Sequence, residues 1–428
     1  MNNFISEIKN KRVLVFGVGK QGGGTGDAQW LERHGAIVRL SDRDSSIAPE
    51  GQTREQIDWA EIIIKNPGVP DDHELLTYAK SLGKPVLTSV ALFVKYSQII
   101  TIGVTGTRGK STTVALITAL LEKVFPGQIM SGGNIPGTSG LSLFDQTLGK
   151  KYAILELSSF QLHNFHDLKV SPSIAVITNL YPDHLNRYPD MAAYQSDKEA
   201  ICRYQHPSDV TLFNRDNPGS LAISRSSAGE PCWFSASMVK DWETCLPGLH
   251  NRENIAAMLG VAQIIGISES ICKEVVRTFT GIPFRQEKIA EIAGVTYIND
   301  TTASTPTAAI KALQGAVCPT IWITGGSDKK LPFDELLTEV KKNIYLKKII
   351  ILGSINIPTY TNALHQIAEE KILGTVMSMQ EAVDLARTSA MPGDSILLSP
   401  GFASFDLFQN EFERGRQYNE KVLAHAQN

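Results

Sequence analysis

Residues 103–113 read GVTGTRGKSTT, directly after the apolar run SQIITI and directly before VALITALLEKV. A buried strand that turns through glycines into Lys-Ser-Thr at the head of a helix aims backbone N–H groups and the positive helix end at one point, and that point suits a phosphate. The strand then belongs inside a sheet with the helix packed back onto it, the unit from which parallel α/β folds are built. In such a loop Lys110 reaches the terminal phosphates and the Ser111 hydroxyl ligates magnesium, while Gly106, Thr107, Arg108, Gly109 and Thr112 complete an ATP cradle. The strict spacing calls for glycine five residues before Gly109, where this chain has Val104; Gly103 and Gly106 flank that position, so the loop is a variant form.

The strand, turn and helix pattern restarts three times. The first unit holds RVLVFGVG, AIVRLSD, EIIIKNPG and PVLTS; the second QIITIGVTG, YAILELSS, IAVITNL and VTLFN; the third VTYINDT, TIWITGG, KIIILG and SILLSPG. The expected fold is α/β in three domains, residues 1–96, 97–281 and 282–428: a Rossmann-like N-terminal domain, a central P-loop-type ATPase domain with a mostly parallel sheet, and a Rossmann-like C-terminal domain. A chain of 428 residues with 42% apolar content is ample for this. A formal charge of −3 leaves no basic excess for nucleic acid or anionic lipid, so small-molecule partners are expected, with no nucleic acid and no membrane insertion; a monomer is expected alongside, though charge does not decide it. Five scattered cysteines with no CxxC pair fit a reducing compartment. The opening MNNFISEIKNKRVLVFGVG has no apolar leader and no run nears a membrane span, so a cytoplasmic location is expected.

A second glycine loop, VLVFGVGKQGG, sets Gly17, Gly19 and Gly22 in GxGxxG spacing, and Asp42 ends the next strand near the distance of a ribose-binding acid. Alone this fits a dehydrogenase or any nucleotide-linked substrate. Gly23, Gly24 and Gly26 follow, each costing about 1 kcal/mol if helical; they read either as room for close backbone approach or as a loosened first turn. In the second unit Glu156 follows YAIL, and Asp183 with His184 follow IAVITNLYP, just past strand ends where open α/β sheets put their sites. A carboxylate beside a bound triphosphate suits magnesium. Lys198, in DMAAYQSDKEAICRY, lies on a helix capped by Asp190 and by itself reads as a solvated lysine.

Taken in order, TGTRGKST, ELSSFQL, TNLYPDHLNRY, GLHNREN at residues 248–254 and SPGFASFDLFQNEFERG resemble the Mur ligases along all three units. The resemblance implies an ATP-dependent amide ligase working through an acyl phosphate, with UDP-N-acetylmuramoyl-L-alanine, D-glutamate and ATP as substrates, in peptidoglycan precursor synthesis. It makes Lys198 a carbamylated lysine, its carbamate derived from CO2, which with Glu156 and His184 holds one of two Mg2+ ions, Ser111 serving the other. With Lys110 these three form the catalytic set. It assigns ATP contacts to Asn254, Arg285 and Asp300. UDP-substrate contacts go to Gly19, Lys20, Gln21, Asp42, Arg43, Gly68, Asn134 and Gln161, which accounts for a GxGxxG without nicotinamide. Ser304, Lys329 and Ser404 cradle the incoming amino acid. With three ligands on three units, domain closure is expected.

The third unit reads NDTTAST where the family usually reads NDSKATN, so Thr302 replaces a lysine that helps hold glutamate. Losing that cation costs roughly 1.5–3 kcal/mol unless another group compensates; Lys330 is the candidate. Glu411 stands where the family often has an aromatic residue, and LTSVALF replaces GEIELF. The alternatives are the same chemistry with another amino acid such as L-glutamate, or a catalytically silent nucleotide binder. A folate polyglutamating ligase would lack the first unit, and a nicotinamide dehydrogenase would leave GKSTT unexplained.

Overall fold

The computed structural model describes residues 2–19, 22–134, 138–185, 187–246, 248–327, 331–353, 358–404 and 407–425. Short runs of β-branched and leucine residues, apolar on both faces, form strands that must be covered on both sides, and they assemble into three sheets. The first comprises β1 Arg12–Phe16, β2 Ile37–Ser41, β3 Ile62–Lys65 and β4 Val86–Leu87 in the order β2-β1-β3-β4, all parallel.

The second sheet is also wholly parallel, in the order β10-β9-β8-β5-β7-β6. Its strands are β5 Ile100–Thr105, β6 Ile129–Gly133, β7 Tyr152–Glu156, β8 Ile174–Ile177, β9 Val210–Asn214 and β10 Glu230–Phe234. The third sheet holds β11 Glu287–Ile292, β12 Val295–Asn299, β13 Thr320–Gly325, β14 Leu346–Leu352, β15 Ile372–Val376 and β16 Ser395–Gly401. Its order is β11-β12-β16-β13-β14-β15, and β11 alone runs antiparallel to its neighbour. Three α/β sheets of parallel strands are what the sequence predicts. The four strands it misses, β6, β10, β11 and β15, are the edges of the second and third sheets.

Compact packing divides the chain into residues 1–279, which hold the first two sheets, and residues 280–428, which hold the third. In each sheet of the first unit the chain leaves a central strand for opposite sides, β1 lying between β2 and β3, and β5 between β7 and β8. Crevices open at such reversals, at the carboxyl ends of the strands. Both glycine loops lie there. The glycine-rich turn after β1 feeds the helix Gly23–Arg33, so the run is helical, and a Cβ on Gly24 would strike the Val18 backbone. Close backbone approach is therefore realised.

Candidate functional site

The phosphate loop leaves β5 at Thr105 and enters the helix Lys110–Val124 through Gly109, whose φ of 81° is left-handed. A Cβ there would run into Asn254 Oδ1, so glycine answers both the turn and the approach of the neighbouring helix Leu249–Ile265. Asn254 is buried; its Oδ1 accepts from Thr113 Oγ1 at 3.2 Å and its amide donates to Asn251 Oδ1 at 3.2 Å. Two residues after β8 clamp the other flank. Asn179 Oδ1 accepts from the Arg108 N–H at 2.9 Å, and Thr178 Oγ1 donates to the Arg108 carbonyl at 2.6 Å. The Thr107 N–H donates to the Asn179 carbonyl at 3.0 Å. Sequence reasoning misses this clamp as such, although TNL is its signal.

Lys110 Nζ donates to the Gly106 carbonyl at 3.0 Å and to the Thr107 carbonyl at 3.3 Å, so the lysine lies over the loop it serves. Lys198 Nζ donates to the same Gly106 carbonyl at 3.1 Å and to Thr105 Oγ1 at 3.3 Å. It lies 4.9 Å from the Tyr194 ring centroid. Its helix, Met191–Arg203, is N-capped by Asp190, whose Oδ1 accepts from the Ala193 N–H, as the sequence predicts. Lys198 itself is only 1% exposed, which overturns the solvated reading. Burial, then the nearby Lys110 charge, holds its amine well below the usual lysine range, against the weaker pull of Asp183 and Asp197.

Glu156 ends β7, where its backbone pairs across to Val104 of β5; it is 8% exposed, and Oε1 accepts from Asn134 Nδ2 at 3.2 Å. His184 takes a left-handed φ of 55° in the loop after β8, edge-on to Phe160 at 5.1 Å and to Tyr194 at 6.1 Å. Burial, followed by the Lys198, Lys110 and Arg187 charges, lowers its proton affinity against Asp183, which favours the neutral imidazole a metal needs. Among the described residues no three His, Cys, Asp or Glu side chains group to hold a metal. His184 and Lys198 both lie against the Tyr194 ring, Glu156 ends the strand beside β5, which runs into the phosphate loop, and Ser111 lies in the first turn of the helix that follows that loop.

A cleft of about 440 Å³ opens between the first and second sheets. Gly19, Gly68, Asn134 and Gln161 line it, with Gly17, Lys65 and Asp27. Asp42 supports the first glycine loop from behind, its Oδ2 accepting from the Gly19 N–H at 2.8 Å and its Oδ1 from the Asp44 N–H at 2.9 Å. Arg43 is exposed and does not line the cleft. Lys20 and Gln21 lie outside the described residues. Sequence reasoning passes over Asp27, which is 7% exposed: Oδ1 accepts from Ser139 Oγ at 2.5 Å and from the Leu141 N–H at 3.0 Å, holding one cleft wall. Burial pushes its carboxyl up to about 6, although hydrogen bonds from Ser139, Leu141 and Ser89 oppose the rise.

Within residues 280–428 Asp300 follows β12 and is buried; Oδ2 accepts from Ser399 Oγ at 2.8 Å and Oδ1 from the Gln286 N–H at 3.1 Å. Burial raises its proton affinity against those bonds and the Arg285 charge. Arg285 sits between Phe284 and Gln286, both in left-handed backbone with φ of 65° and 49°. Thr302 holds that turn, its N–H and hydroxyl both donating to the Phe284 carbonyl, at 3.2 and 2.9 Å. The residue standing for the family lysine thus has a backbone role. The Ser304 N–H donates to the Thr302 carbonyl at 2.8 Å. Ser404 is buried, and its Oγ has no partner among the described residues. Lys329 and Lys330 lie outside them.

The Mur ligase middle domain, as a family, matches residues 104–236. A UDP-N-acetylmuramoylalanine–D-glutamate ligase from Roseiflexus sp. (strain RS-1) is 34% identical over 97% of this chain and 99% of its own. One of the same name from Lacticaseibacillus paracasei is 32% identical over 98% and 97%. Among solved structures, the UDP-N-acetylmuramate-alanine ligase MurC from Thermotoga maritima matches with a TM-score of 0.55 at 15% identity, covering 97% of this chain and 99% of that one. The MurF ligase from Thermotoga maritima in complex with ADP matches at 0.55 and 17%, covering 98% and 97%. These two share the fold. No described helix is long and apolar enough to cross a membrane.

Proposed function

The chain belongs to the Mur ligase family, and on that footing we propose that it is the ATP-dependent ligase joining D-glutamate to UDP-N-acetylmuramoyl-L-alanine, as its curated relatives are named. This is a step in building the peptidoglycan precursor, carried out on small-molecule substrates by a monomer in the cytoplasm. One observation carries the catalytic reading over a silent nucleotide binder: Lys198 is buried against the phosphate loop, its Nζ on the Gly106 carbonyl, and burial holds its amine well below the usual lysine range. A protein that only held nucleotide would gain nothing from burying a lysine there.

The substrate carboxylate oxygen attacks the γ-phosphorus of ATP, ADP leaves, and an acyl phosphate forms. The D-glutamate amine then attacks the acyl carbon, inorganic phosphate leaves, and the nitrogen gives up a proton. Both partners of the first step are anions, and their repulsion is what the site must offset. Lys110 and the N–H groups that open its helix supply fixed positive charge. Two magnesium ions, when bound, neutralise phosphate oxygens; Ser111 suits one, while Glu156, neutral His184 and an anionic carbamate on Lys198 suit the other. Asn254, Arg285 and Asp300 are assigned to nucleotide, as are the remaining loop residues Gly106, Thr107, Arg108, Gly109 and Thr112. Gly19, Lys20, Gln21, Asp42, Arg43, Gly68, Asn134 and Gln161 are assigned to the UDP-linked donor, with Asp42 acting through Gly19. Ser304, Lys329 and Ser404 are assigned to the amino acid. The domains this reading uses are residues 1–96, 97–281 and 282–428.

The test is phosphate release from ATP and magnesium with UDP-N-acetylmuramoyl-L-alanine, comparing D-glutamate, L-glutamate, D-aspartate and no amino acid. Release with D-glutamate alone is expected. Preference for another amino acid would make NDTTAST a specificity switch, and no release would overturn the ligase reading.

A further inference from the structure

The residue before Lys198 carries more of the site than its own chemistry requires. Asp197 is 7% exposed, and both of its carboxylate oxygens are engaged: Oδ1 with His163 Nδ1 at 2.9 Å, Oδ2 accepting from the Tyr188 hydroxyl at 2.8 Å. His163 closes the helix Ser159–His163, which begins just after Glu156 and packs on the helix Met191–Arg203. Tyr188 stands in the loop of His184, its N–H donating to the His184 carbonyl at 3.0 Å, and its ring stacks on Phe160 at 5.7 Å. One carboxylate therefore ties together the three segments that carry Glu156, His184 and Lys198.

Geometry makes this tie directional. Successive residues on a helix point about 100° apart, so two bonds that fix Asp197 fix the rotation of its helix and, with it, where Lys198 enters the phosphate loop. The ring that Asp197 holds is itself held on its other side: Asp71 stands 3.7 Å from His163 Nε2, and the Asp197 bond with the two carboxylate charges raises the proton affinity of the imidazole, against burial and the Lys65 charge.

We infer that Asp197, held by His163 and Tyr188, is a positioning residue that sets Glu156, His184 and Lys198 in register for carbamylation and metal binding. The inference rests on the carbamate reading of Lys198, and the experiment separates the two. The full-length enzyme is incubated with 13C-bicarbonate and its carbamate resonance recorded, with Lys198→Ala as the blank. Magnesium requirement for phosphate release and affinity for UDP-N-acetylmuramoyl-L-alanine are measured alongside. Asp197→Ala is expected to lose the resonance and to need roughly 10–100-fold more magnesium, with UDP-substrate affinity unchanged; Asp197→Asn, which keeps an acceptor for Tyr188, falls between. A wild-type resonance that persists in Asp197→Ala with an unchanged magnesium requirement overturns the inference. Absence of any resonance in the wild type overturns the carbamate reading itself, and the inference with it. If Asp197→Ala does not fold, Tyr188→Phe and His163→Ala each remove one tie, and wild-type magnesium behaviour in both overturns the inference equally.

Discussion

Asp27 offers the sharpest physical test of the cleft. It is buried in the wall between the two sheets of the first unit, and burial pushes its carboxyl from 3.8 up to about 6. Moving the midpoint that far is worth about 3 kcal/mol between the protonated and ionised forms. Because the folded value lies above the unfolded one, the associated stability is fully present below pH 3.8 and is lost as pH rises through about 6. At neutral pH the folded protein therefore carries a charge that the unfolded chain holds more comfortably. Asp27→Asn keeps the oxygen that Ser139 and Leu141 need as acceptor and removes the ionisation. The assay is urea unfolding of wild type and variant at several pH values between 4 and 7, since every other titrating group cancels in their difference. Wild type should lose up to about 3 kcal/mol relative to Asp27→Asn across that range, about half of it by roughly pH 5, where the unfolded carboxyl is ionised and the folded one still protonated, and nearly all of it once folded Asp27 ionises. Stability curves that run parallel would show that the pocket does not desolvate Asp27, and the argument from burial would fall.

Lys198→Ala should abolish turnover, and high bicarbonate should not restore it; near-normal phosphate release would refute the role given to that lysine. Gly109→Ala forces an L-residue into left-handed backbone, about 1–2 kcal/mol of strain, and drives a methyl into Asn254 Oδ1; nucleotide affinity should fall, and wild-type affinity by calorimetry would mean the contact is easily rearranged. Arg414, 1% exposed, donates to Thr301 Oγ1 and O and to the carbonyls of Phe402 and Ala403. Arg414→Ala leaves those acceptors buried and should destabilise the compact body of residues 280–428 by about 3 kcal/mol or more, read as faster amide exchange in β12 and β16; unchanged exchange there would count against it.

The centres of the sheets are legible in the sequence because a strand buried on both faces has to be almost uniformly apolar, as VLVF in β1 and ITIGVT in β5 are. The edges are harder. IMSGG, EPCWF, EKIAEI and ILGTV carry glycine, proline or charge because one side lacks a partner strand, and their composition resembles a loop. The phosphate loop is legible since its spacing is local. Lys198 is not, because its burial comes from Thr105 and Gly106 some 90 residues earlier. Asp197, His163 and Tyr188 have no spacing signal at all; only the fold makes them neighbours. Thr302 shows the converse, a position whose meaning in the family is a missing cation and whose work here is to hold the Phe284 carbonyl.

Lys110 and Lys198 share one acceptor, the Gly106 carbonyl. Two ammonium groups repel each other there, and the buried one feels it more, since burial and the Lys110 charge both lower the proton affinity of Lys198, against Asp183 and Asp197. An uncharged amine is the form that attacks the carbon of CO2, releasing a proton and leaving an anion. Once that anion exists, the sign of the interaction reverses: the charge that lowered the proton affinity of the amine now stabilises the carbamate. Lys110 would thus favour modification of Lys198 twice, before and after it happens, apart from any contact it makes with phosphate. Lys110→Ala should weaken the 13C carbamate resonance in the absence of ATP, where a purely nucleotide-binding role for Lys110 predicts no change. A resonance of wild-type strength in that variant would confine Lys110 to the nucleotide and leave desolvation alone to account for the state of Lys198.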